Sequence, residues 1–296
     1  MTPTKPHTGL VELHLAVLLF GGTALFSKLI PLSALNITFL RCIIAAMVLA
    51  AIIKAAKRPL RLQRQQDYWA ALALGTLVCL HWVTYFAAMQ LSSVAIGMIA
   101  FFTYPVMTVL IEPLINKTQL KPVDVISAIA VLAGVIMLIP EANLNNDTTL
   151  GIIVGIISAA LFTSRNLLHK RVFSQYSGPH AMFYQTLITL ILLSPWQDVA
   201  AQHISQTTWG LILLLGIVFT ALPHALFTTA LRFLSAKTVG LVSCLQPFYG
   251  AVLALLILDE QLTTRTLIGG TIIVATALFE TQQSHQSHQS HQKSRA

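Results

Sequence analysis

Inside the long apolar runs of this chain, Arg41, Arg165, His81 and His224, with a handful of aromatic and amide side chains, are the residues that most invite a chemical reading. A charged or titratable side chain in a bilayer is costly unless it is paired, hydrated or near an edge, so each one needs an explanation. Arg41 lies about two turns inside one run, and Arg165 lies near the middle of another with Asn166 beside it. A guanidinium there could anchor a carboxylate or phosphate through a two-pronged hydrogen bond. It could equally extend its stem to the headgroups or cap a carbonyl. His81 and His224 could be satisfied packing residues, or could contact a substrate or carry a coupling proton, because imidazole titrates near neutral pH. Tyr85 is one helical turn beyond His81 and shares its face, whereas Trp82 points about 100° away. Aromatic faces there could stack on a ring, cover an organic cation or fill a core.

Two prolines mark where a helix should give way. Pro105 follows Tyr104, and Pro247 lies between Gln246 and Phe248 with Tyr249 next. A proline removes a backbone donor, so Pro105 and Pro247 predict helix kinks. The freed carbonyls, with Tyr104, Gln246 and Tyr249, could give a mostly apolar cavity its few polar contacts. Glu112 is placed to pair with Lys117 or Lys121, or to hold a coupling proton.

The elements that must position these residues are membrane spans. The 296 residues are 55% hydrophobic and 9% charged, too little polar surface to clothe a soluble core of that size. The formal net charge of +8 does not indicate nucleic acid, because the basic residues lie in short gaps between apolar runs rather than along one face. Cys42, Cys79 and Cys244 fall inside apolar runs without metal-type spacing and look like small packing residues. A weakly positive N-terminus with no small-residue cleavage site predicts that the first apolar run stays as a helix.

A bilayer core of about 30 Å needs about 20 helical residues, and ten such runs can be drawn. They are Leu13 to Leu32, Leu35 to Ile53, Tyr68 to Met89, Ser92 to Ile115, Val123 to Ile139, Gly151 to Phe173, Pro179 to Leu193, Trp209 to Leu231, Thr238 to Leu258 and Leu267 to Thr281. Most Lys and Arg fall in every second connection: Lys54 to Arg64, Lys117 and Lys121, Lys170 and Arg171, Arg232 and Lys237. Glu141, Asp147, Asp198, Asp259 and Glu260 fall in the others. The positive-inside rule then predicts a multi-pass protein of the inner (plasma) membrane with both termini cytoplasmic.

The chain also repeats itself. His81 to Pro105 returns as His224 to Pro247: Leu91-Ser92 matches Leu234-Ser235, Gly97 matches Gly240, and Pro105 matches Pro247. Phe20 and Lys28 echo Phe162 and Lys170, and Trp69 and Gly75 echo Trp209 and Gly216 more loosely. Halves of five spans each enter the membrane from opposite sides, so residues 1–140 and 141–281 are expected to be inverted repeats enclosing a central path. On that alignment Gln185 is the approximate counterpart of Arg41, at a mirrored depth, where an interhelical hydrogen bond or a cavity contact would suit it. After Glu280 comes SHQSHQSHQ, with nothing apolar to bury, so residues 282–296 are expected to be a disordered tail in which His285, His288 and His291 could capture metal weakly.

The run YFAAMQLSSVAIG (Tyr85 to Gly97), the proline eight residues on, and PFYGAVLALLILDEQLTTRTLIGG (Pro247 to Gly270) resemble the EamA-type permeases of the drug/metabolite transporter (DMT) superfamily. The resemblance covers roughly Leu13 to Glu280. The acidic element usual in the second repeat stands as Asp259-Glu260, while the first repeat reads Lys117-Thr118-Gln119-Leu120 and lacks it. The resemblance implies an all-α integral membrane fold of ten transmembrane helices in two inverted five-helix repeats. It also implies a central cavity and carriage of small metabolites, often export of amino acids or related compounds. No Gly-rich phosphate loop, Gly-x-Ser-x-Gly, His-Glu-x-x-His or metal-holding acidic pair is present. The expectation is therefore a secondary transporter without catalytic residues, cofactor or bound metal, moving a small molecule by alternating access. An uptake permease and a non-transporting sensor are the alternatives.

Overall fold

The computed structural model describes residues 6–116, 119, 122–138, 146–198, 204–230, 242–243 and 245–293. Glu141, Arg232, Leu234, Ser235, Lys237, Gly240 and Cys244, and the connections holding Lys117 and Lys121, lie outside the described residues. The elements are α1 Pro6–Thr23, α2 Phe26–Leu29, α3 Ala34–Ala55, α4 Gln65–Leu91, α5 Val94–Phe101, α6 Tyr104–Asn116, α7 Pro122–Leu138, α8 Asp147–Val172, α9 Gly178–Leu193 and α10 Gln206–Gly216. A π-turn at Ile217–Ala221 follows, then α11 Leu222–Ala230, α12 Gln246–Leu258 and α13 Thr264–Lys293. Among the described residues there is no strand.

Five helical stretches are long and apolar enough to cross a bilayer by themselves: Gly9–Leu29, Ala34–Ala55, Gln65–Leu91, Asp147–Val172 and Gln206–Phe227. Shorter apolar helices at Val94–Thr108, Val125–Met137, Gly178–Leu193 and Gln246–Leu258 accompany them. Isoleucines and leucines such as Ile126, Ile129, Leu132 and Ile136 on α7, Ile191 on α9 and Leu256 on α12 are exposed. An apolar belt of this extent is stable only against lipid. The chain is a multi-pass membrane protein.

Short polar caps set the helix starts. Ser33, Ser93, Asn146 and Ser205 each accept a hydrogen bond from the backbone N–H three residues on, at Asn36, Ile96, Thr149 and Thr208. The fourth apolar run is broken rather than bent. α5 stops at Phe101, and α6 restarts at Tyr104 with Pro105 as its second residue. A proline in a first helical turn leaves no donor unsatisfied, because that N–H has no partner in any helix. Pro247 likewise stands in the first turn of α12. The eighth run is interrupted by the π-turn ahead of Pro223. Pro223 cannot donate to the Phe219 carbonyl four residues back, and the Thr23 hydroxyl of α1 donates to it instead, at 2.9 Å. α13 carries helix through Lys293, where composition predicts a disordered tail; that segment contains no Pro or Gly to stop a helix already under way.

The first and second halves interlock. α4 packs along α8 and α9, α3 packs on α9 and α10, α1 packs on α11 and α12, and α7 packs on α13. Glycines allow the closest crossings: a Cβ on Gly75 of α4 would lie 2.5 Å from Ile188 Cβ, and one on Gly216 of α10 would lie 2.5 Å from Ile44 Cβ. The main apolar core gathers Phe26, Ile37, Phe86, Met89, Met98, Phe101, Phe102, Ile152 and Leu215 between these helices.

Candidate functional site

α4 carries two differently equipped faces toward its neighbours, as helical spacing requires. On one, His81 and Tyr85 lie 5.8 Å apart, centroid to centroid, and face Phe101 of α5 and Phe162 of α8. On the other, Trp82 and Phe86 receive the guanidinium of Arg41 from α3, whose central carbon lies 4.3 and 4.7 Å from the two ring centroids. The rings thus cover the guanidinium faces, a favourable cation–π arrangement in a desolvated place. His224 of α11 meets the edge of the same Trp82 ring at 5.7 Å, so Trp82 lies between a basic residue of each half.

Each histidine is oriented by a hydrogen bond. The Ser158 hydroxyl donates to the His81 carbonyl at 3.0 Å, which leaves its oxygen to accept from His81 Nδ1–H at 2.8 Å. His224 Nδ1 lies 2.6 Å from the Thr220 carbonyl, an acceptor only, so the proton is on Nδ1. His81 is within electrostatic reach of Arg41, Arg165 and His224. The interior of the site is therefore basic.

The two arginines differ in their partners. Arg165 donates from Nε to Gln185 Oε1 at 2.8 Å, from Nη1 to Asn166 Oδ1 at 2.9 Å, and from Nη2 toward Met182 Sδ at 3.2 Å. Gln185 is fully buried and returns its own N–H to the Ala181 carbonyl. Its place in the structure is the interhelical hydrogen bond between α9 and α8. Arg41 is 2% exposed, and its Nε and Nη2 have no hydrogen-bond partner among the described residues.

Gln246, at the start of α12, lies beside the Tyr85 hydroxyl. Tyr104 belongs to the ring cluster of Phe101, Phe102 and Phe162. Tyr249 packs instead against Leu13, Val17 and Val242, on the α1 side. The structure thus brings together Arg41, His81, Trp82, Tyr85, His224 and Gln246. It sets Arg165 with Gln185 as a neighbouring pair and puts Tyr249 apart. Arg41, His81, Trp82 and Tyr85 are all buried, whereas His224 and Gln246 are partly exposed. Sequence reasoning passed over Phe86, Phe101 and Ser158. Phe86 was within reach of helical spacing, being four residues after Trp82, whereas nothing near Ser158 in the chain pointed to His81.

Polar contacts close the two ends. Away from Lys54–Arg64, Lys28 Nζ donates to the Gln90 and Ser92 carbonyls at the end of α4, at 3.0 and 3.1 Å. The Glu260 carboxylate accepts from Val94 and Ala95 N–H at the start of α5, at 2.7 and 3.2 Å. Asn36 donates to Asp198 at 2.6 Å. At the opposite end Tyr176 donates to Asp67 Oδ2 at 2.6 Å and accepts from Gln63 N–H at 2.8 Å. There burial, then the hydrogen bond to Asp67, raises the pKa of the Tyr176 hydroxyl above that of an ordinary tyrosine. Among the described residues no group of three or more His, Cys, Asp or Glu side chains could hold a metal ion.

A family model described as the EamA-like transporter family matches the chain twice, over residues 7–139 and 149–281. An uncharacterized transporter, YxxF, of Bacillus subtilis is 26% identical over 83% of this chain and 80% of its own. An uncharacterized transporter of Archaeoglobus fulgidus is 26% identical over 91% and 95%. The threonine/homoserine exporter RhtA of Escherichia coli is 24% identical over 88% and 86%. A solved crystal structure shares the fold with a TM-score of 0.64 at 19% identity, over 94% of this chain and 98% of the other.

Proposed function

Because the chain belongs to the EamA-like transporter family, we propose that it is a secondary transporter that exports a small metabolite, an amino acid or a related compound, across the inner membrane by alternating access. The observation that carries this reading is the buried junction at Trp82, where Arg41 of the first half and His224 of the second meet one ring between interlocked helices. A substrate held there is contacted by both halves and can be passed from one side to the other as they rock. The export sense follows the name of the RhtA relative. The binding residues in this reading are Arg41, His81, Trp82, Tyr85, His224 and Gln246.

The reading takes the chain as ten crossings in two inverted five-helix repeats, residues 1–140 and 141–281, with both termini cytoplasmic. Several pairs of contacts support it by exchanging when the halves are exchanged. Gly75 meets Ile188 and Gly216 meets Ile44; Phe162 meets His81 at 4.9 Å and Phe20 meets His224 at 4.8 Å. α4 on α8 answers to α11 on α1.

Vesicles containing the purified protein and loaded with candidate amino acids and organic acids test the reading. Protein-dependent efflux is the expected result. Accumulation from outside alone would make the protein an uptake permease, and ligand binding with no flux across the panel would make it a sensor.

A further inference from the structure

Arg41 differs from Arg165 in how its donors are used. Its guanidinium faces are covered by Trp82 and Phe86, and the two nitrogens without partners among the described residues are Nε and Nη2. Those two N–H bonds lie on one edge of the planar group and run parallel, the fork that takes both oxygens of a carboxylate. Arg165 has spent the same edge on Gln185 and Met182. A buried charge with unanswered donors is costly, and breaking a buried pair by removing one partner is costly for the same reason. The described acidic residues that make contacts are committed at the two ends of the molecule: Asp67 to Tyr176, Asp198 to Asn36, and Glu260 to Val94 and Ala95.

We infer that the Nε–Nη2 edge of Arg41 anchors the carboxylate of a small organic anion. The site favours plain, 2-oxo and 2-hydroxy acids over the amino acids that share their carbon skeleton. The second half of the statement follows from charge. The α-ammonium of an amino acid is carried beside its carboxylate, hence beside the charge of Arg41, whose titratable neighbours are Cys42, Tyr85, His81 and His224, none of them a carboxylate that could answer an ammonium. The nearest ring faces, which could otherwise receive an ammonium, are already covered by the guanidinium itself. Tyr85 and Gln246 supply hydroxyl and amide groups suited to an oxo or hydroxy substituent. The inference rests on the transporter reading for the route by which the anion arrives.

Equilibrium binding to the full chain in lipid nanodiscs tests it, with matched probes: butanoate, 2-oxobutanoate and 2-hydroxybutanoate against 2-aminobutanoate, homoserine and threonine, and phenylpyruvate against phenylalanine. At least one acid should bind about tenfold or more tightly than its matched amino acid, a difference in the range that one unpaired or repelled charge produces. Arg41→Lys keeps the charge without the fork and should weaken that acid about tenfold or more, and Arg41→Gln should abolish its binding. Arg265→Gln, at an exposed position, should bind like the parent. Should the Arg41 variants fail to fold, the Arg41 Nε–H resonance of the parent protein, followed by nitrogen-edited NMR, should shift on adding the acid. Tighter binding of every amino acid than of its matched acid overturns the inference. So does unweakened binding by Arg41→Lys, or the absence of both binding and NMR shift with all the acids at millimolar concentration. Flux that persists in Arg41→Gln vesicles overturns the anchor and leaves the transporter reading intact; acid binding without flux does the reverse.

Discussion

Glu260 closes one end of the molecule by a contact whose loss can be sized. Its Oε1 accepts from Val94 N–H at 2.7 Å and its Oε2 from Ala95 N–H at 3.2 Å, so a segment after α12 holds the first turn of α5. Glu260→Gln keeps the shape but offers a single acceptor oxygen, and its amide nitrogen, itself a donor, faces the second N–H. One bond is lost, at about 1–3 kcal/mol, and the other loses its charge assistance. A carboxylate at a helix N-terminus contributes a further 0.3–1 kcal/mol or so. Because Glu260 is only half-buried and solvent answers part of the loss, we expect about 2 kcal/mol in all, or roughly 30-fold in the local opening equilibrium. Hydrogen–deuterium exchange in nanodiscs reads the two amides directly. Their protection should fall by about that factor, while the Tyr176 end is unchanged. Exchange at Val94 and Ala95 equal to that of the parent protein would refute the reasoning, because it would mean that these amides are held by something other than the carboxylate.

Gly75→Ala and Gly216→Ala each push a methyl group to 2.5 Å from an isoleucine Cβ, and each should cost about 1–3 kcal/mol in thermal stability, with truncation of Ile188 or Ile44 recovering part of it. Tyr176→Phe removes one of the two hydrogen bonds to Asp67 Oδ2, the other coming from Arg64 N–H, takes away the acceptor of Gln63 N–H, and should cost about 1–3 kcal/mol near neutral pH. Because the folded state raises the Tyr176 pKa, its contribution is complete below the ordinary tyrosine value of about 10 and is lost as pH rises through the folded value. The stability difference between Tyr176→Phe and the parent should therefore shrink in alkaline unfolding curves. Ser158→Ala removes the oxygen that receives His81 Nδ1–H and should lower flux more than expression, with Ser158→Thr restoring part of it.

The helices were legible because they obey local rules: apolar length, serine and asparagine caps, and prolines at first turns. The clean break at Phe102–Thr103 was not, since the sequence places a proline but not the direction the chain takes after it. Arg41, His81 and Trp82 stood out because they are polar or aromatic in apolar runs. Their partners did not, because contacts such as Ser158 with His81 or Glu260 with Val94 join residues 77 and 166 positions apart. Arg41 and Arg165 looked equivalent in the sequence, and only three dimensions reveal that one has its fork engaged and the other does not.

The repeat itself, read most easily from His81 and His224, also marks where the halves are unlike. The histidines keep matching phenylalanine neighbours, yet His81 is held by a serine of another helix and His224 by a carbonyl of the segment just before its own helix. A carboxylate fastens α5 at one end of the molecule, while the first repeat reads Lys117-Thr118 at the positions that match Asp259-Glu260. If the halves exchange shapes in transport, the exchange does not return the same contacts, so the two end states differ in energy by roughly what those unmatched contacts are worth. If the protein works as a carrier that opens alternately at its two ends, weakening the Glu260 contact should shift the resting population toward opening at that end.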